Sequence, residues 1–358
     1  MPRMDDVQQL LTATGPFASV MLNAPSATEN ADRRLGRRWA GARRSLVSAG
    51  APDPMLDLLD STMSELHHDG GAAVVVLQPS HGTALVEYLE DPLVHEVSVM
   101  EELPRLGPLL ESRQQTIAHL MLLTDRAGAD IISFDGGSEV ELTEVEGETE
   151  HLQRSKPGGW SQRRFQQRAE NQWESNAAEV AEQVAAAAKR VDARLVTVAG
   201  DVRAVTFLLE HLPTEVAQIT VKLEGQSDDL IAEETAREAA NVVAEDKRAA
   251  LEQHRELVGQ DRSPKDVDGV LEALSNGQVQ VLLVHDDPSD ERMAQFDRDS
   301  IWCSTVESGS ATAAPGADVA EGRLVDVAIR SALMSDAKVQ FVPKHGGPEG
   351  QLGAILRW

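Results

Sequence analysis

Residues 117–147, IAHLMLLTDRAGADIISFDGGSEVELTEVEG, hold three apolar, strand-like runs, with Asp135-Gly136-Gly137 as a hairpin turn between the second and third. Downstream, Phe165, Ala169, Trp173, Ala177, Val180, Val184 and Ala188 recur at intervals of three or four, which predicts a long helix from near Ser161 with one apolar stripe. ARLVTVAG then reads as a strand, DVRAVTFLLEHL as a helix and AQITVKL as a further strand. This alternation restricts the segment to a sheet with helices packed on it. Composition points the same way. With 41% apolar residues but only 3% aromatic ones, the cores must be filled by Ala, Val, Leu and Ile on regular backbone.

The flanking segments are also expected to be α/β. FASVMLNA and AAVVVLQP have the short apolar runs of buried strands, while Glu29–Ala49 and Pro54–His68 have helical spacing. From near Ser227 a long acidic helix, DDLIAEETAREAANVVAEDKRAALEQHREL, runs to a break at Gly259 and Pro264. Helix VDGVLEALSNG, buried strand VQVLLV and a small-residue stretch expected to be flexible, SGSATAAPGADVAEG, come next. Helix RLVDVAIRSALMS, strand KVQFVP, a glycine turn and strand GAILRW close the chain. The expected domains are residues 1–110, 111–226 and 227–358. No internal repeat, P-loop, paired nucleotide fingerprint or heptad run is present.

The chain has 358 residues and a formal charge of -26, yet two short islands hold eleven of its 33 Lys and Arg residues. The first is RRLGRRWAGARR, carrying Arg33, Arg34, Arg37, Arg38, Arg43 and Arg44, with no acid from Arg33 to Pro52. The second, RSKPGGWSQRRFQQR, places Arg154, Lys156, Arg163, Arg164 and Arg168 around Gly158-Gly159 with no acid among them. Electrostatic screening over about 8 Å means that a partner feels the local patch and not the total. Arginine forks suit phosphate oxygens, and Trp39 or Trp160 offers a ring for stacking on a base. Nucleic acid is therefore the expected ligand of both islands, against the alternative of solvated helix faces. One cysteine, Cys303, rules out a disulfide framework and a Cys-based zinc site, and His67-His68 and His81 lack ligand spacing. No metal or cofactor is expected. The N-terminus MPRMDDVQQLLTATG carries acids and no long apolar core, and no window approaches a membrane span. A soluble cytoplasmic protein is expected.

Three segments, in order, resemble the archaeo-eukaryotic class-one release factor and Pelota superfamily. KPGGWSQRRFQQRAENQ is similar to its catalytic-loop region, where a Gly-Gly-Gln loop leads into a helix through Ser, a basic residue and Phe. VLEALSNGQVQVLLV resembles the start of its third domain, and EGQLGAILRW its C-terminus. Together these cover about residues 112–358. The resemblance implies an N-terminal α/β domain at the decoding site, a ribonuclease-H-like middle domain, and an α/β C-terminal domain that contacts a translational GTPase of the elongation factor Tu type. The N-terminal third lacks the Asn-Ile-Lys-Ser and Tyr-x-Cys-x-x-x-Phe motifs with which eukaryotic relatives read stop codons. The chain looks most like the bacterial branch that includes Balon-type ribosome-hibernation factors. The implied partner is the bacterial ribosome, with contacts to ribosomal RNA at the decoding site and the peptidyl-transferase centre.

In release factors the glutamine after the two glycines helps place the attacking water. Here Trp160 stands at that position. An indole has one N–H donor and no acceptor, so it cannot both accept from and orient a water as an amide does. Gly159-x-x-Gln162 resembles the displaced glutamine of relatives that cleave peptidyl-tRNA on stalled large subunits, which leaves a hydrolase acting through Gln162 as the enzymatic alternative. The favoured expectation is a non-catalytic RNA-docking tip: backbone N–H groups and cations hold phosphates while Trp160 stacks. The bland alternative is a glycine turn before a helix capped by Ser161.

Overall fold

A computed structural model describes residues 2–24, 31–66, 71–125, 127–136, 138–146, 159–224, 227–306, 313 and 316–358. The chain packs as two compact units, one formed by residues 1–114 together with 247–358 and the other by 115–246. Both are α/β, as expected.

The first unit begins with helix α1 (Pro2–Leu11) and strand β1 (Phe17–Asn23), then helices α2 (Ala31–Ser48) and α3 (Asp53–Glu65), strands β2 (Ala73–Pro79), β3 (Leu85–Leu89) and β4 (Val97–Glu101), and helix α4 (Gly107–Arg113). The strands form one antiparallel sheet of order β3-β2-β1-β4. Strands β1 and β2 read as unbroken apolar runs because both faces are covered. Ala18, Val20, Leu22, Val74 and Val76 pack against Leu35, Ala42 and Leu46 of α2 and Met55, Leu56 and Leu59 of α3. The alternate side chains, Phe17, Met21, Val75 and Leu77, enter a second core shared with the C-terminal part of the chain.

The second unit carries β5 (His119–Thr124), β6 (Gly128–Asp135), β7 (Ser138–Glu146), α5 (Gly159–Val191), β8 (Leu195–Gly200), α6 (Val202–His211), α7 (Thr214–Gln218) and β9 (Thr220–Lys222). Helix α8 (Asp228–Gly259) starts within this unit and runs past its boundary. The sheet order is β7-β6-β5-β8-β9, with β5, β6 and β7 antiparallel and β8 and β9 parallel to β5. This is the ribonuclease-H-like arrangement that the resemblance implies. The hairpin falls where the sequence places it: Asp135 pairs with Ser138, and Gly136 has φ 57°. Ala177, Val180, Val184 and Ala188 of the expected stripe are buried against Leu120, Leu122, Ile131, Val196 and Val198. The side chains of Phe165, Ala169 and Trp173 lie outside the described ones. At the end of β8 a Cβ on Gly200 would meet the Thr124 carbonyl oxygen at 1.8 Å, so glycine alone fits there. Asp201 then caps α6 by accepting from the backbone N–H groups of Arg203 and Ala204. The strand expected over AQITVKL is shorter than its apolar pattern, because Ala217 and Gln218 belong to α7.

The C-terminal part of the first unit adds α9 (Val267–Ser275), β10 (Val279–Val284), β11 (Met293–Asp297), β12 (Cys303–Thr305), β13 (Val319–Arg323), α10 (Leu324–Met334), β14 (Lys338–Phe341) and β15 (Leu352–Leu356). These strands make two sheets, β14-β10-β15 and β12-β11-β13. Every residue from Leu324 to Leu333 of α10 is buried, so this is a core helix apolar on nearly all sides. Its Arg330 is anchored. Arg330 Nη1 donates to the Ser300 carbonyl at 2.9 Å and its guanidinium lies 5.0 Å from the Phe296 ring centre. The stretch expected to be flexible ends in a strand instead: β13 pairs with β11, and Gly322 sits where a Cβ would lie 3.2 Å from Val327 of α10. Its small residues serve close packing there, while residues 307–312 lie outside the described ones.

Candidate nucleic-acid interface

Helix α2 carries the whole first island. At about 100° per residue, Leu35, Trp39, Ala42 and Leu46 fall on the side facing the sheet, and Arg33, Arg37 and Arg44 fall opposite, with Arg34 at the margin. Burial agrees: Leu35, Ala42 and Leu46 are buried, and Arg33, Arg34, Arg37 and Arg44 are exposed. The other two arginines are held by this chain's own acids. Arg38 pairs with Glu96, and Arg43 Nε donates to both oxygens of Asp60, at 3.2 and 3.0 Å. Among the described residues, Arg34, Arg37 and Arg44 make no ion pair.

Asp60 also changes the reading of Trp39. The indole Nε1 donates to Asp60 Oδ1 at 2.8 Å, and the ring packs against the core beneath α2. With its N–H engaged and its ring half-buried, Trp39 braces α2 against α3. Two glycines lie inside this helix, and a Cβ at Gly36 or Gly41 would meet nothing within 4 Å. Glycine inside a helix costs about 0.5–1 kcal/mol relative to alanine, and no internal packing demands it here. The outer face of α2 is thus low in profile between its arginines.

The second island belongs to the other unit. Arg154, Lys156 and Gly158 lie outside the described residues. Helix α5 begins at Gly159, two residues ahead of the start expected at Ser161, so Gly159, Trp160, Gln162, Arg163, Arg164 and Arg168 stand in its first turns. The side chains of these residues are outside the described ones.

No cluster of three or more His, Cys, Asp or Glu residues able to hold a metal occurs among the described residues. No helix there is long and apolar enough to cross a membrane. Cys303 is a core thiol whose pKa burial pushes up, with the Ser275 hydroxyl donating to its carbonyl oxygen at 2.8 Å. Sequence reading missed one ionic cluster altogether. Arg323, Asp286 and Asp326 are buried together, Arg323 pairing with Asp286 and lying 3.6 Å from Asp326. Both Asp326 oxygens are buried without a hydrogen bond. Burial, opposed by Arg323 and aided by the charges of Asp286 and Glu101, pushes its pKa up to about 7. A Cβ on Gly107 would meet Asp286 Oδ2 at 2.0 Å, so a larger residue at the start of α4 would displace this carboxylate. The cluster reads as a structural lock. The partners span residues 101–326, so no local pattern announces them.

Residues 118–260 match the model of a family described as bacterial archaeo-eukaryotic release factor family 2. A protein of two Mycobacterium tuberculosis strains, described only as uncharacterized, is 27% identical over 217 residues, 60% of this chain and 58% of that protein. The match therefore spans less than two thirds of that relative. Among solved structures, the archaeal translation termination factor aRF1 is 16% identical with a TM-score of 0.26, covering 99% of this chain and 97% of that one. Pelota of Archaeoglobus fulgidus is 17% identical with a TM-score of 0.35, covering 82% of each chain. A model of ribosome-bound archaeal Pelota with ABCE1 is 14% identical with a TM-score of 0.43, covering 99% of this chain and 94% of that one. Likeness this loose fixes no residue correspondence.

Proposed function

We infer that this chain, a member of the bacterial branch of the archaeo-eukaryotic release factor superfamily through residues 118–260, is a ribosome-binding translation factor that occupies the A site of idle ribosomes without reading stop codons or releasing peptide. The observation that carries the reading is the row of exposed arginines on α2, Arg33, Arg34, Arg37 and Arg44, in a chain of net charge -26. An acidic protein that concentrates arginine on one helix face has a local anion partner, and ribosomal RNA supplies one. The surrounding acid limits binding to nucleic acid elsewhere. Under this reading α2 lies toward the decoding site and the start of α5 toward the peptidyl-transferase centre, with Trp160 stacking and the cations of the second island holding phosphates. The three sequence segments 1–110, 111–226 and 227–358 take separate roles, the last contacting a GTPase of the elongation factor Tu type.

A second reading rests on Gln162, whose displaced position after Gly158-Gly159 resembles that of relatives that cleave peptidyl-tRNA. The two readings part on one set of proteins. Wild type, Trp160→Ala and Gln162→Ala are assayed for ribosome affinity and peptidyl-tRNA cleavage in one buffer. The docking reading expects Trp160→Ala to cost about 1–3 kcal/mol of binding, Gln162→Ala to cost little, and no cleavage above background. Wild-type cleavage that disappears in Gln162→Ala establishes the hydrolase instead.

A further inference from the structure

The sheet of the second unit is covered unequally. Helix α5 packs along one face, against Leu120, Leu122, Ile131 and Val198. On the other face α8 covers mainly the β5-β8-β9 side, with Ile132 and Phe134 of β6 packed at the margin of its core. Its Ile231 packs with Met121, Ala199 and Leu223, its Thr235 hydroxyl lies 2.8 Å from that of Thr197, and its Ala239 and Val243 pack with Ile117 and Leu195. Strands β6 and β7 extend past this cover. Leu142 stands opposite Ile132 and is 52% exposed, and Val140, at the register shift, is 54% exposed. Phe134, two residues along β6, is half-buried and stacks on His119 with ring centres 4.4 Å apart. Burial lowers the pKa of His119, which disfavours a charged ring in this strip.

Beside the strip, Asp130 and Glu144 stand directly opposite each other in the β6–β7 register. Both are exposed, and neither makes an ion pair among the described residues. Like charges directly across a strand pair are destabilising, and two carboxylates that have no cation among the described residues, beside an exposed Leu142 on a half-buried Ile132, are an unusual surface for a chain to keep. We propose that the β6–β7 face is a docking site for a protein segment that presents apolar side chains to Leu142, Ile132 and Phe134 and places a lysine or arginine between Asp130 and Glu144.

Charge selects this occupant over the others. RNA is repelled by the carboxylate pair. A second copy pairing along the free edge of β7 would align strands that each carry Glu139, Glu141, Glu144 and Glu146. The site is independent of α2 and of the ribosome reading.

The probe is a fluorescent helical peptide with leucines on one face flanked by lysines, compared with the same peptide flanked by glutamates, titrated with the intact protein at about 50 mM salt. The lysine peptide is expected to bind, with amide chemical-shift changes centred on β6 and β7. Reversing Asp130 and Glu144 to lysine is expected to weaken it roughly tenfold and to favour the glutamate peptide. Leu142→Ser, at an exposed position that leaves the fold intact, is expected to abolish both. The proposal is overturned by equal affinity for the two peptides or by binding that ignores both substitutions. It is also overturned if Leu142→Ser instead abolishes self-association or RNA binding of the wild type.

Discussion

Replacing Arg34, Arg37 and Arg44 together by alanine removes exposed cations of α2 that make no ion pair among the described residues, and leaves its buried face of Leu35, Ala42 and Leu46 untouched. Each arginine that neutralises a phosphate adds about 0.7–0.9 to the slope of log affinity against log salt. The triple variant is therefore expected to flatten the salt dependence of ribosome binding by about 2–3 in that slope. Between about 50 and 200 mM salt the wild type would lose roughly 20- to 40-fold more affinity than the variant. The contrast is Arg38→Ala with Arg43→Ala, whose side chains already pair with Glu96 and Asp60 at 38% and 39% exposure. Half-exposed pairs of this kind contribute up to about 1 kcal/mol each, so this double variant is expected to lower the melting temperature modestly and leave the slope nearly unchanged. Sedimentation of the three proteins with purified ribosomes across a salt series gives the slopes. Equal slopes for wild type and triple variant would refute the electrostatic argument, and a large change in the double variant alone would place the contact on the wrong side of α2.

Asp326 ties stability to pH. Its carboxyl holds its proton more tightly in the folded protein, with a pKa of about 7 against an ordinary 3.8, so its contribution is full below about pH 4 and is lost as pH rises through 7. In urea unfolding, the stability of Asp326→Asn relative to wild type is expected to grow by about 3 kcal/mol from about pH 5 to pH 8; a difference that does not change with pH contradicts the assignment. A fragment ending at Gln114 is expected not to fold alone, since Phe17, Met21, Val75 and Leu77 would lose Leu274, Leu282, Phe296 and Val327 from their core. A cooperative unfolding transition of that fragment would show otherwise. Gly200→Ala is expected to destabilise the second unit by several kcal/mol, because the new Cβ overlaps the Thr124 carbonyl in a left-handed backbone conformation; a melting temperature within a degree or so of wild type would contradict this.

What the sequence discloses follows the reach of its signals. The β5–β6–β7 hairpins, the α5 stripe and β8 were legible, because strand alternation, a Gly-Gly turn and helical spacing act over a few residues. Strands β3, β4, β11 and β12 were not, because they are 3–5 residues long and only partners far along the chain mark them as strands. Strand β13 was hidden by composition: alanine and glycine suit a flexible linker and a tight contact equally, and only α10 decides which. The first basic island was visible as a cluster. Which of its arginines face solvent was not, since Glu96 lies 58 residues from Arg38 and Asp60 lies 17 from Arg43. The same long reach concealed Asp286, Arg323 and Asp326, each an ordinary charged residue by local pattern and a buried group only in the folded unit.

Competition for the A site tests the central claim most directly. Vacant ribosomes are incubated with labelled aminoacyl-tRNA and increasing amounts of the intact protein, and the tRNA retained in the A site is counted. The account predicts displacement that reaches completion at one protein per ribosome, weakens as salt rises, and is lost in the Arg34, Arg37 and Arg44 triple variant. Full A-site occupancy by tRNA on ribosomes that co-sediment with the protein would contradict it.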